Sequence, residues 1–108
     1  MIEFKPNING NIVIYNAFEN GSETGRVTLT FEKTKSELRF IEAHNDETAE
    51  GLIRSALTAA ANRNVFSCIY EPDEFKNIAV RLGFAENNGK LYGEIPFLLG
   101  GCCGCRHN

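Results

Sequence analysis

"LRFIEAHNDETAEGLIRSALTAAANRNVFSCIY", residues 38–70, decides how the rest of the chain is arranged. Its ends, "LRFIEAH" (38–44) and "VFSCIY" (65–70), are rich in β-branched and aromatic side chains and read as strands. Phe40 and Ile41 are adjacent and apolar, a pattern expected of a strand buried on both faces. Between the strands the period changes. Ala49, Leu52, Ile53, Ala56, Leu57, Ala60 and Ala61 fall on one apolar stripe of a helix of about four to five turns. Asn45 or Asp46 can cap its start, and Asn64 is placed to turn left-handed at its end. A strand–helix–strand crossover is right-handed and makes its two strands parallel.

Working outward, "NIVIYNAF" (11–18) reads as a strand and "NGSETG" (20–25) as a turn cluster. In "RVTLTFEK" (26–33), Val27, Leu29 and Phe31 alternate with Thr28, Thr30 and Glu32, the period-two pattern of a strand with one wet face. Beyond residue 70 a second helix is predicted, with Pro72 in its first turn. Phe75, Ile78, Ala79 and Leu82 would form its buried face. Gly83 would stop it, with Phe84 folding back. "AENNGKLYGEI" (85–95) reads as a β-hairpin turning at Asn87–Asn88–Gly89. The expected fold is α/β (α+β): a mixed β-sheet with a central parallel β-α-β unit and helices packed on it. Residues 1–99 form the domain and 100–108 a cysteine-rich tail.

In this order the elements resemble the core of the GNAT superfamily, the acetyl-CoA-dependent N-acetyltransferases, over roughly residues 11–97. "FKNIAVRLGFAENNGKLYGEI" (75–95) is similar to the family's helix ending in Leu-Gly-Phe before the last hairpin. "FIEAHNDETAEGLIRSALTAAANRN" (40–64) is similar to its fourth strand, pyrophosphate loop and following helix. The resemblance implies acetyl-CoA as cofactor, a small-molecule or protein amine as acceptor, and a V-shaped gap between strands 38–44 and 65–70. It places the cofactor on Ile41, Ala43, Ala49, Glu50, Gly51, Leu52, Ile53 and Arg54. Bare N–H groups at a helix start attract an anion, and glycine lets it approach. Only Gly51 matches the family's glycines, and Ile53 takes the place of the second. Asp46, Glu47 and Glu50 stabilise a helix start but repel a pyrophosphate, so the stretch also reads as a plain capped helix.

In the family, backbone donors polarise the thioester carbonyl, a base takes the amine proton and an acid protonates the thiolate. The tyrosine that often serves as the acid corresponds here to Ala79, and an asparagine near the cofactor corresponds to about Pro72. Tyr70, Cys68 and Tyr92 remain as candidates, and each also reads as a packed residue. Only about ten residues precede the first predicted strand, where family members carry a further strand and two helices that shape the acceptor site.

The 108 residues make one domain by size, and the net charge of −3 gives no nucleic-acid signature. No apolar run reaches the roughly 20 residues that span a bilayer, and no signal-peptide pattern opens the chain. The expectation is a cytoplasmic protein with reduced thiols, with no nucleic-acid or membrane partner. A homodimer is one assembly open to it. The tail, "FLLGGCCGCRHN" (97–108), carries Cys102, Cys103, Cys105 and His107, a set that zinc accepts, and its glycines equally permit a plain flexible end. His44 reads as a surface or capping residue. Two readings follow: an N-acetyltransferase, or an inactive GNAT-like domain acting through its tail as a metal- or thiol-binding module.

Overall fold

The computed structural model describes residues 2–100. Four strands come first, β1 (Ile2–Asn9), β2 (Ile12–Glu19), β3 (Ser22–Glu32) and β4 (Lys35–Ala43), each antiparallel to the one before. The turn between β2 and β3 is Asn20–Gly21, with φ of 55° and 83°, the type I′ geometry whose twist suits a two-residue hairpin. Helix α1 (Asp46–Asn62) crosses to β5 (Ser67–Tyr70), which is parallel to β4. Helix α2 (Lys76–Leu82), the hairpin of β6 (Ala85–Asn87) and β7 (Lys90–Glu94), and helix α3 (Ile95–Gly100) complete the described chain. The sheet order is β1-β2-β3-β4-β5-β7-β6, so β7 inserts beside β5 and antiparallel to it.

Local chemistry fixes the boundaries of α1. The Asn45 side chain accepts from the Thr48 N–H at 2.8 Å. At the other end Asn64 turns left-handed at φ 62°. The Asn64 N–H then bonds the Ala61 carbonyl and the Val65 N–H the Ala60 carbonyl, a Schellman stop. Except for Ala61, which is exposed, the apolar stripe of α1 is buried as expected, against β2, β3 and β4. It joins Ile78 and Ala79 of α2, Ile95 and Leu98 of α3, and the inward residues of the sheet in one core.

Four expectations need correction. Residues 2–9 form a strand rather than a lead-in, and Gly10–Asn11 joins it directly to β2. Pro6 is tolerated there because β1 is an edge strand. Helix α2 begins at Lys76, four residues past Pro72, and Phe75 precedes it in the left-handed region at φ 60°. Residues 95–100 fold back as α3, and Leu98 packs so closely on Gly93 that a Cβ there would collide with it. Finally, Ile41 is buried but Phe40 is exposed. It lies on the sheet face opposite the core, under the guanidinium of Arg26 at 5.3 Å. That outer face carries no helix among the described residues. It holds instead a cavity of about 320 Å³ lined by Thr30, Glu37, Arg39, Ile69 and Tyr92 among others.

Candidate functional site at the β4–β5 apex

Strands β4 and β5 run side by side only over four residue pairs, from Lys35↔Ser67 to Leu38↔Tyr70. Within this stretch Ser36 is buried and donates its hydroxyl to the Ser67 carbonyl at 2.8 Å. The last rung is the Glu71 N–H on the Leu38 carbonyl, at 3.0 Å. Beyond it the strands part. The cause lies in β4 itself: Thr28 pairs with Phe40 but Leu29 with Leu38, leaving Arg39 as an extra residue. Such a bulge bends its strand and increases its twist. From Phe40 to Ala43, β4 is paired to β3 alone. Its backbone groups that turn away from β3 face a cleft of about 330 Å³, lined by Phe40, Ile41, Glu42, Ala43, Glu74 and Phe75. The gap expected between strands 38–44 and 65–70 is therefore present, with Ile41 and Ala43 on its wall.

The start of α1 is a different surface. Ala49, Leu52 and Ile53, expected against a cofactor, are fully buried in the core. Their N–H groups lie inside the helix, bonded four residues back. Gly51 has its own explanation. A Cβ there would overlap the ring of Phe4, so the glycine admits β1 onto α1. This contact spans 47 positions in the chain and leaves no trace in the residues around Gly51. Once Asn45 has capped Thr48, the N–H groups of Asp46 and Glu47 remain without an intrahelical acceptor.

Cations lie about two turns further along α1. Arg54 Nε donates to Glu50 Oε2 and Arg81 Nη2 to Glu50 Oε1, both at 3.1 Å. Arg54, with Arg81 behind it, holds the Glu50 carboxyl below its ordinary value. One carboxylate thus gathers two guanidiniums that still have donors to spare. Arg81, on α2, has no signal in the sequence near Arg54.

The candidate proton donors divide in the same way. Cys68 is buried, and burial pushes its thiol up to about 11. Tyr70 packs on Phe84 and donates its hydroxyl to the Glu74 carbonyl, and burial pushes its phenol up as well. Tyr92 pairs with Ile69 and lies partly exposed on the outer face. Ala79, which the resemblance sets at the family's tyrosine position, is fully buried. No group of three or more metal-ligating side chains occurs among the described residues. Cys102, Cys103, Cys105 and His107 lie outside them. No described helix is long and apolar enough to cross a membrane.

Neither a family sequence model nor a curated protein sequence matches the chain. Solved structures do. An N-acetyltransferase from Staphylococcus aureus Mu50 superposes with a TM-score of 0.70 over 88% of this chain and 98% of that one, at 13% identity. The aminoglycoside 6'-N-acetyltransferase of Enterococcus faecium gives 0.67 over 82% of this chain and 77% of that one, at 11% identity. A structure from Desulfovibrio desulfuricans described as a GNAT-family acetyltransferase gives 0.68 over 79% and 70%, at 11% identity. The chain has the GNAT fold. The PaiA N-acetyltransferase of Thermoplasma acidophilum, solved in complex with coenzyme A, is similar at a TM-score of 0.63 and 16% identity over 78% of this chain. The chain spans 60% of that enzyme's length. Within this GNAT fold β1 and β2 are joined by two residues, and no helix among the described residues covers the outer sheet face.

Proposed function

We propose that the chain binds acetyl-CoA at the β4–β5 apex and transfers its acetyl group to an amine. The unpaired half of β4 is the observation that carries this reading. A free strand edge offers alternating N–H and C=O groups, which match the amides of a pantetheine arm. The cleft beside it is lined by Ile41, Ala43 and Phe75. The Thermoplasma protein with coenzyme A bound has the same fold.

Each part of the chain has a share. The β4 edge binds and orients the arm, and its N–H groups near Arg39 face the position where charge would build on a carbonyl oxygen. The exposed N–H groups of Asp46 and Glu47 meet the diphosphate, and Arg54 and Arg81 supply the positive charge that the acidic first turn lacks. Bound there, acetyl-CoA would supply an activated carbonyl and a thiolate leaving group, which would take up the proton that the amine gives up, so that no side-chain acid is required. Cys68 and Tyr70 serve as packing beneath the apex, and Tyr92 is the one of the three candidates whose side chain meets solvent.

Calorimetric titration with coenzyme A tests the reading. Micromolar binding is expected. In the Arg54→Ala/Arg81→Ala double variant it should weaken about tenfold or more, since charge-assisted contacts are lost. Raising the salt should weaken the native protein toward the variant. Affinity no better than millimolar in the native protein would end the acetyl-CoA assignment.

A further inference from the structure

The side chain of the bulged residue reaches β3, β4 and the segment that follows β5. Arg39 Nε donates to Thr30 Oγ1 on β3 at 3.0 Å. Its Nη2 donates to the Glu37 carboxylate on β4. Its Nη1 lies 3.7 Å from the carboxylate of Glu71, the first residue past β5. One planar fork therefore ties β3 and β4 to the segment leaving β5, at the residue where pairing stops. A bulge permits a bend but leaves its extent open. A guanidinium hydrogen-bonded to Thr30 and Glu37 and ion-paired with Glu71 can limit it, because its donors diverge at rigid angles.

We infer that Arg39 is a positioning residue that sets the opening of the β4–β5 cleft, and so the placing of the Phe40–Ala43 edge toward a pantetheine arm. The inference rests on the acetyl-CoA reading above. It assigns Arg39 no contact with the ligand: the side chain lies on the outer face, and the cleft is lined by the residues that follow it. Exposed ion pairs of this kind add little to stability, and Arg39 is half-exposed. Its removal should therefore change geometry more than folding. Lysine keeps the charge but has no fork, so it should not substitute.

Two probes separate the arm from the rest of the ligand: coenzyme A, and adenosine 3',5'-bisphosphate, which lacks pantetheine. Arg39→Met should bind coenzyme A about tenfold or more weakly, in line with the cost of small misplacements at a preorganised site. It should bind the bisphosphate as the native protein does. Arg39→Lys should resemble Arg39→Met, and Glu71→Gln, which cuts only the arm across the cleft, should fall between it and the native protein. Lys35→Met, in the same outer cavity but outside this clasp, should leave both affinities unchanged. Amide exchange without ligand gives a second readout: the Glu71 N–H, the last rung, should exchange faster in Arg39→Met and Glu71→Gln.

Equal loss for both probes, full rescue by lysine, or unchanged exchange at Glu71 would each overturn the positioning role while leaving the acetyl-CoA reading in place. A native protein that binds neither probe, or binds coenzyme A no better than the bisphosphate, removes the acetyl-CoA reading instead, and this inference with it.

Discussion

The two ends of the proposed cofactor seat are built on opposite plans. At the β4–β5 apex a bulge parts two paired strands and leaves backbone groups facing a cleft. At the start of α1 the chain is filled in: Phe4 covers Gly51, and Ala49, Leu52 and Ile53 are buried. The sequence draws attention to the second end, because a glycine near a helix start is a familiar sign of anion binding. The structure puts the opening at the first, where the residues are ordinary strand formers. A glycine reports close approach and does not say what approaches. Here it is an aromatic ring of the same chain.

The sharpest way to break the contrast is to remove the anchor of the apex. Leu38 is fully buried at the last paired position. Leu38→Ala should cost about 2–5 kcal/mol, seen in urea as a lower midpoint at unchanged slope. A loss well under that range would mean that the apex is not held by packing beneath it. The α1 end is tested by a sign reversal. Gly51→Ala should destabilise by about 1–2 kcal/mol, overpacking against Phe4 outweighing the gain in helix propensity. In a Phe4→Ala background the same change should stabilise by about 0.5–1 kcal/mol. In that background coenzyme A affinity should not respond to Gly51→Ala. A drop there would restore the glycine as a phosphate contact.

The last effect appears only in alkali. The folded state holds Cys68 protonated up to about pH 11, whereas an unfolded thiol ionises near 8.5. Between those values the unfolded state binds fewer protons, so stability should fall as pH rises. Stability curves taken from pH 8 to 11 should show that decline, and Cys68→Ala should flatten it. At pH 8 the native thiol should resist iodoacetamide until the protein unfolds.

Much of this was legible in the residues. The stripe from Ala49 to Ala60, the left-handed Asn64 and the Asn88–Gly89 turn each carry a local signature, and each sits where it was expected. The parallel placing of β4 and β5 follows from the crossover. The misses share a different cause. β1 contains Lys5, Pro6 and Asn7, a poor strand in isolation that an edge position accepts. Phe40 beside Ile41 reads as doubly buried, and only the three-dimensional arrangement shows that one face carries no helix among the described residues. The bulge at Arg39 exists only in the register between two strands, so β4 read alone cannot reveal it. The gathering of Arg54 and Arg81 around Glu50 likewise depends on how α2 packs on α1.

The short links of the first four strands have a consequence for how the molecule assembles. Gly10–Asn11, Asn20–Gly21 and Lys33–Thr34 each join neighbours that pair at once, so half the sheet is a meander of near-diagonal contacts that needs no distant segment. Bringing β5 alongside β4 closes a loop that contains the whole of α1, a non-local pairing of the kind that slows folding. The seam that opens into the cleft is thus the one joined over the longest detour of chain.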